Sequence, residues 1–566
     1  MSEFGLDSKT VIDETIAGQD IADLKSFITD KNYPFVSDQQ NGSYSNQISF
    51  DLSGLVSNNA YLNLQNSYIL MPMSSTLAAD QAWTGAIPAT AVVPKSNFVN
   101  LIDSIQVFVN NKQLVDQTTM SNLPVSILSK LEMSTADLKL EGRGLGITSD
   151  TYSAVVRKTA ASAMGDGYLN NEPRFGSISS AATELLQNSG LNPRSAMFVD
   201  TDNTTLPAVG AVGATAVSSC RAQGVPYFSA GTTNTLVATW NFIAYIPLRR
   251  LADLFARFPL IKNSQIRLVL NLNLGSVAMT NAVTTSFMSV KSITQTAGNT
   301  FPMMMCPVTS AILPSATAGT NTLSIAVQST AAAATATKGA CGYPLLPNCR
   351  LFAQSMVVSP NYEERILANR QQTIRYLDWF QLSINNVAAG SSYSQTISTS
   401  LPNVALAAVF PFHNGSTLAG ATPSGLFVAT TGNQYQSPFD AAPEQTLPLG
   451  TGAFQQLNFQ VNGSNVWTNN AQFTYDVFCQ EVKSLSINGS LKRDVASGLM
   501  DLVDWQFSPV AICDLGDRVD AESDAYQSVV INGTNATAVS VDYKVFIGYW
   551  KTYSIDVVTG QMEKIF

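Results

Sequence analysis

Residues 104–115 (Ser-Ile-Gln-Val-Phe-Val-Asn-Asn-Lys-Gln-Leu-Val) and residues 456–467 (Gln-Leu-Asn-Phe-Gln-Val-Asn-Gly-Ser-Asn-Val-Trp) share one design. Side chains alternate across a strand with a period of two, so Ile105, Val107 and Val109 line one face, as do Leu457, Phe459 and Val461. Asn110-Asn111 and Asn462-Gly463 then supply the positive φ that a two-residue hairpin needs. One hairpin of this kind constrains little. Two in matching phase, one in each half of the chain, predict a β-sandwich built twice in tandem.

The length of 566 residues agrees with more than one core, since a single domain usually spans about 100–200. Only 13% of residues are charged, about half the usual share for a soluble chain, while 45% are apolar. That apolar fraction and the strong alternation argue against disorder. A surface covered by neighbouring subunits, where charge is depleted, accounts for both numbers. The net charge of −9 and the lack of any Lys/Arg run exclude a phosphate-neutralising groove, so no direct nucleic-acid binding is expected.

Beyond the hairpins, the chain changes rhythm several times. In residues 1–30, Asp20 is placed to cap a helix whose face carries Ile21, Leu24, Phe27 and Ile28. That helix is read as an arm, docked on its own domain or reaching a neighbour or a membrane surface. From residue 43 the period is two, and residues 61–71 and 98–109 continue as strands. Residues 116–235 read as a long exposed insertion. Trp240–Ile246 reads as a strand, followed by a helix with Leu251, Leu254, Phe255 and Phe258 on one face, ended by Pro259. Ile266, Leu268, Leu270, Leu272 and Leu274 alternate again. Residues 315–342 are an Ala/Thr/Gly loop with one strand near 323–327. A strand over 350–358 ends at Ser359-Pro360, a polar connector covers 361–365, and a second β-region opens near Ile374. The strongest strand sets Val539, Val541, Tyr543, Val545, Ile547 and Tyr549 on one face, before a hairpin at Thr559-Gly560.

Chemistry-bearing motifs are scarce. No phosphate loop, nucleophile elbow or zinc-protease pair occurs. His413 is the single histidine, in a turn after a strand. Six cysteines (Cys220, Cys306, Cys341, Cys349, Cys479, Cys513) lack metal-site spacing, and the absence of a secretory signal favours free thiols. No apolar run is long enough to span a membrane as a helix. Asp520, Glu522 and Asp524, in an acidic run with Asp514 and Asp517, are the one weak calcium candidate. The Gly that should follow the third ligand is missing, and Ile531 stands where a bidentate Glu is required. Glu363-Glu364 reads as part of the linker, not as a glycosidase pair. The Asn-x-Ser/Thr triplets at Asn203, Asn414, Asn462, Asn488 and Asn532 include several Asn-Gly turns, which turn geometry explains.

Three blocks together resemble the double jelly-roll major capsid proteins of polinton-like viruses, virophages and their relatives. The first is Tyr-Ile-Pro-Leu-Arg-Arg-Leu-Ala-Asp-Leu-Phe-Ala-Arg-Phe-Pro-Leu-Ile-Lys at 245–262 with the strand that follows it. The second runs from Asn-Cys-Arg-Leu-Phe at 348–352 through Ser-Pro-Asn-Tyr-Glu-Glu at 359–364 to Ile-Arg-Tyr-Leu-Asp at 374–378. The third runs from Phe507-Ser508-Pro509 to the end. The resemblance implies an all-β chain of two tandem eight-stranded jelly rolls. Residues 1–30 would form the arm, 31–360 the first roll with insertions near 116–235 and 298–345, and 361–566 the second. It implies a homotrimeric, pseudo-hexagonal capsomer of an icosahedral DNA-virus shell, assembled inside the host cell, in the cytoplasm or nucleus. The partners it implies are copies of the chain, a vertex (penton) protein and minor capsid or cement proteins. An internal membrane is the partner against which the helix at 20–29 would be tested. No catalytic residue and no cofactor are expected. The alternative is a secreted or surface β-sandwich that binds or cleaves polysaccharide.

Overall fold

The computed structural model describes residues 28–147, 155–159, 183–187, 227–281, 303–307, 320–327, 348–415, 427–429, 434–436, 450–485, 498–516 and 527–565, less short gaps within these ranges. The first half contributes β1 (Ile28–Asn32), β2 (Phe35–Ser37), β3 (Gln47–Asp51), β4 (Tyr61–Ala82), β5 (Ile102–Val109), β6 (Lys112–Val115), β7 (Thr235–Pro247), β8 (Ile266–Leu272) and β9 (Arg350–Val358). The second contributes β10 (Gln371–Val387), β11 (Ser392–Leu401), β12 (Val404–Gly415), β13 (Gln455–Val461), β14 (Ser464–Asn465), β15 (Ala511–Asp514), β16 (Gln527–Thr534), β17 (Ser540–Asp556) and β18 (Met562–Lys564). Four helices matter below: α1 (Asn122–Glu132), α2 (Asp253–Arg257), α3 (Pro360–Ala368) and α4 (Tyr475–Ser484).

Strand order decides the architecture. In the first half one sheet places β1 and β2 beside β9, then β4, then β7, and the facing sheet runs β3-β8-β5-β6. In the second half one sheet runs β10-β17-β12-β15, and the facing sheet runs β11-β16-β13-β14. With β1 and β2 counted as one interrupted strand, and β18 set aside as a terminal hairpin strand on β17, each half has eight positions in chain order. In both halves positions 1, 8, 3 and 6 make one sheet and positions 2, 7, 4 and 5 make the other. All these pairings are antiparallel. That is the jelly roll, with two Greek keys closing two packed sheets. The chain is an all-β double jelly roll.

The repetition reaches into the connections. The two hairpins turn through Asn110 (φ 47°) and Asn111 (φ 64°), and through Asn462 (φ 51°) and Gly463 (φ 82°). A short 3-10 turn enters each preceding strand, Phe98–Leu101 ahead of β5 and Gly450–Phe454 ahead of β13. An α-helix follows each hairpin, α1 in the first roll and α4 in the second.

Each roll buries its own apolar set. Ile48, Phe50, Leu64, Ile69, Met71, Ile105, Val107, Leu268, Leu270 and Leu351 fill the first core. Leu457, Phe459, Phe473, Val529, Ile531, Tyr543, Val545 and Ile547 are in the second. β4 is 22 residues long, and its far half pairs with β7 on one side and with Thr320–Ala326 on the other. That added strand pairs with Gly275–Asn281, which in turn pairs with Phe427–Ala429 from the second half.

Several expectations are corrected. Residues 28 and 29 are not helical: Ile28 starts β1 and pairs with Val358, where the β-branched pair Ile28-Thr29 suits an edge strand. Phe98–Leu101 is a 3-10 turn, and the strand begins at Ile102. Residues 122–132, placed in an exposed loop by composition, form a helix whose Leu123, Ile127 and Leu131 are buried. The connector at 361–365 lies in α3, started by Pro360, whose fixed φ suits a first helical position. The helix before Pro259 is only Asp253–Arg257, with Leu248–Arg250 as a separate 3-10 turn. β17 sets Val541, Tyr543, Val545, Ile547 and Tyr549 on one buried face as expected, and Asp542, Phe546 and Gly548 on its other face are buried as well.

Candidate assembly surfaces

The two rolls are joined by more than a linker. The first core takes in Ile374 and Tyr376 of β10 and Tyr553 and Ile555 of β17. These strands pair from Gln371↔Asp556 through Ile384↔Tyr543, so one end of the pair serves the first core while the other serves the second. At the crossover, Lys551 Nζ lies 2.5 Å from Asp378 Oδ2 and 2.7 Å from Asp116 Oδ2, and donates to the Leu114 carbonyl at 3.2 Å. The Tyr376 hydroxyl donates to the same carbonyl at 2.6 Å, and Thr118 Oγ1 donates to the Trp379 carbonyl at 2.6 Å. Asp116 and Leu114 belong to the first half, Lys551 and Asp378 to the second.

Lys551 and Asp378 are nearly dry, with side-chain exposure of 7% and 4%, while Asp116 sits at the rim with its side chain 54% exposed. Burial pushes the Asp378 carboxyl above the ordinary carboxylate range, against the pull of Lys551. Burial also opposes the Lys551 ammonium, but Asp378, Tyr549 and Asp116 outweigh it and hold the group above the usual lysine range. One cation is thus shared between two carboxylates, the arrangement that makes a buried charge tolerable.

A second tie runs through α3. Lys262 Nζ donates to Glu363 Oε1 at 2.8 Å, and the Tyr61 hydroxyl approaches the same atom at 3.4 Å. The hydrogen bond from Lys262 holds the Glu363 carboxyl below its ordinary range, while burial and Glu363 push the Tyr61 phenol up to about 12. A third tie is the β17–β18 hairpin. Asn110 Nδ2 donates to the Thr559 carbonyl and Lys112 Nζ to the Met562 carbonyl, both at 3.0 Å. Gly560 has φ +67°, and a Cβ there would collide with Ser264 and Asn110, so this turn requires glycine.

Helix α1 forms a further contact between the rolls. Asn122 and Ser126 face the first roll, where Asn122 Nδ2 donates to Asn100 Oδ1 at 3.0 Å. Leu123, Ile127 and Leu131, spaced four apart on one face, join the apolar cluster of the second roll instead. That cluster includes Trp379, Leu406, Ala408, Phe410, Ile512 and Phe546, which point outward from the β10-β17-β12-β15 sheet. The outer face of this sheet is therefore closed within the chain: Phe410 and Phe546 are 0% exposed.

Among the described residues, the matching outer face of the first roll is left partly open. Phe35 on β2, Phe352 on β9, Tyr68 on β4 and Tyr245 on β7 lie on the side opposite to Ile69, Ala244, Ile246, Leu351 and Ala353. Their rings form a continuous surface, with centroid separations of 5.5 Å (Phe35–Phe352), 5.0 Å (Tyr68–Phe352) and 5.0 Å (Tyr68–Tyr245). Tyr33 extends it, 6.4 Å from Tyr68. Tyr33, Phe35 and Tyr245 are 43%, 47% and 37% exposed. Arg350 lies over the Phe35 ring and Lys31 over that of Tyr33.

The residues singled out by sequence fall elsewhere. Ile21, Leu24 and Phe27 lie outside the described residues, and Ile28 sits in β1. Asp520, Glu522 and Asp524 also lie outside them. Asp514, from the same acidic run, is buried structure: it accepts from Ser484 Oγ at 2.7 Å, and its N–H donates to Glu481 at 2.8 Å, fixing α4 to β15. His413 lies in β12, paired with Gln436. Cys349, Cys479 and Cys513 are buried and unbridged. Among the described residues no group of three or more His, Cys, Asp or Glu is placed to hold a metal ion, and no helix is long and apolar enough to cross a membrane. Sequence reasoning missed the aromatic face, although its signal is present. Tyr245 interrupts the Ala244/Ile246 core phase and Phe352 interrupts Leu351/Ala353, which marks strands apolar on both sides.

The strand order defines the class of fold, a double jelly roll. No protein-family model matches the chain, and no curated protein sequence matches it. Among solved structures, it is similar to a chain of the Sputnik virophage solved by cryo-EM, at 11% identity and TM-score 0.42, covering 95% of this chain and 88% of that one. It is similar to the mavirus major capsid protein at 10% identity and TM-score 0.40, covering 94% and 89% of the two chains. The Faustovirus major capsid protein is also similar, at 10% identity and TM-score 0.40, covering 93% and 90%.

Proposed function

We propose that this chain is the major structural subunit of an icosahedral DNA-virus shell. In this reading the first roll opens with β1 at Ile28 and runs to residue 360, residues 361–566 are the second, and the residues ahead of Ile28 are an assembly arm. The carrying observation is the pair of identically ordered rolls, tied to each other by shared strands, a buried ion network and α1. A subunit with two similar walls, repeated three times around an axis, gives a tile of six walls. Such tiles pack edge to edge into flat facets, and cyclic contacts of this kind are heterologous and close on themselves. The low charge content supports the reading, because surface between subunits and between tiles loses its charge. In this reading the chain works by shape. Its partners are other copies, a vertex protein and minor or cement proteins, and its place is the virion, assembled within the host cell.

The test is light scattering of the purified chain followed by negative-stain imaging. A species near three times 60.5 kDa with a hexagonal outline is expected. A persistent monomer would sink the capsomer reading. It would favour the polysaccharide-binding alternative, for which the exposed aromatic rings of the first roll would be the platform.

A further inference from the structure

Both rolls build the same sheet from strand positions 1, 8, 3 and 6, and both load its outer face with large apolar groups. In the second roll these are Trp379, Phe546, Phe410 and Ile512, one per strand, none more than 8% exposed. In the first roll the corresponding strands carry Phe35, Phe352, Tyr68 and Tyr245, two of them more than a third exposed. The second roll's face is closed by the segment that follows the fifth strand of the first roll, namely α1 with Thr118 and Thr119. Among the described residues no segment closes the first roll's face in that way.

We propose that the aromatic face formed by Tyr33, Phe35, Tyr68, Tyr245 and Phe352 is the docking site for a second copy of this chain. The part of that copy received is the segment following the fifth strand of its second roll, which holds α4 and Leu502. The proposal rests on the trimeric-tile reading and gives it a specific contact. Within the chain, one roll already receives the other by this route. Applying the same relation once more, from the second roll of one copy to the first roll of the next, yields a head-to-tail contact that continues around an axis. The donor side fits its role. α4 turns Phe478, Cys479 and Val482 into its own roll and leaves Asp476, Gln480 and Lys483 outside. Beyond it, Leu502 stands 46% exposed, one of few large apolar side chains left open among the described residues. The exposed Asp476 is suited to meet Arg350 and Lys31, which lie over the Phe35 and Tyr33 rings. Aromatic anchors flanked by cations, with a polar rim, are the composition of a protein-binding patch.

Two full-length variants test this, Phe35→Asp/Tyr245→Asp on the receiving face and Leu502→Asp on the donor side, with Tyr245→Phe as the conservative control. Circular dichroism establishes that each folds, and light scattering reads the mass. The wild type and Y245F are expected near three times 60.5 kDa, and both disrupted variants near one. An equimolar mixture of the two disrupted variants should form a one-to-one dimer and stop there, since one intact face and one intact donor remain. A folded F35D/Y245D protein that still trimerises overturns the assignment and leaves the tile reading standing. A dimer formed by L502D alone would mean that the face pairs with itself and would also overturn it. A wild-type monomer refutes the tile and the docking together. If that monomer binds a soluble β-glucan and F35D/Y245D does not, the face is a sugar platform.

Discussion

The helices α1 and α4 occupy the same place in two rolls of the same strand order, yet they direct their apolar sides differently. α4 spends Phe478, Cys479 and Val482 on the roll that bears it. α1 turns Asn122 and Ser126 toward its own roll and presents Leu123, Ile127 and Leu131 to the other. The outer faces differ in step: the second roll's face is sealed and, among the described residues, the first roll's is partly open. Repetition of topology has therefore not produced two equivalent modules. It has produced a chain with direction, in which one roll caps and the other is capped.

The strongest way to break that asymmetry is Ile127→Asp. It sets a carboxylate without a partner in the closed contact between the rolls, at a cost of about 4 kcal/mol. Calorimetry should show one unfolding transition splitting into two. Gln480→Asp, on the exposed side of α4, should shift monomer stability by no more than about 0.5 kcal/mol. A similar loss at both positions would mean that the two helices are interchangeable.

Next in size is Lys551→Met. It strands Asp378 beside Asp116 and should cost about 3 kcal/mol in urea denaturation. Lys551→Met combined with Asp378→Leu should recover most of that loss, because apolar replacement of a whole buried pair is often neutral. No recovery would mean that the network specifies the junction and does more than neutralise it.

The hairpins offer a smaller and cleaner comparison. Asn111 and Gly463 hold equivalent positions at φ 64° and 82°. Asn111→Gly should stabilise by about 0.5 kcal/mol, and Gly463→Asn should cost about as much. Equal and opposite shifts in the denaturation midpoint would show that the two turns are energetically the same device. The smallest effect concerns pH. Because Glu363 has a lowered pKa in the fold, its contribution is complete above its unfolded value near 4.5 and disappears as pH falls through the folded value. The thermal midpoints of wild type and Glu363→Gln should therefore differ at neutral pH and converge in acid. A gap that persists in acid would assign the difference to shape, not charge.

Much of this architecture was legible in the sequence. The hairpins at 110–111 and 462–463, β8, β9 and the closing hairpin at Gly560 all follow from period-two alternation and turn chemistry, which are local signals. What stayed hidden depends on partners far away in the chain. Leu123, Ile127 and Leu131 have helical spacing, but a Gly-, Ala-, Thr- and Ser-rich neighbourhood masked it, and nothing local reveals that they face the other roll. The same applies to Asp116, Asp378 and Lys551, each an ordinary charged residue until the strands bring them within 3 Å. The aromatic face was overlooked because a strand apolar on both sides resembles a deeply buried strand, and sequence alone does not say that one side is open.

The pairing of β10 with β17 also bears on biosynthesis. Tyr553, Ile555 and the Met562 carbonyl are made long after the strands of the first roll, yet they complete the core and edge of that earlier half. A nascent chain paused near residue 360 would hold Leu114 and its neighbours without their cover. The first roll would finish folding only once β17 and β18 have emerged. A prematurely terminated chain would then expose apolar surface in both halves, marking it for removal before it could join a growing assembly.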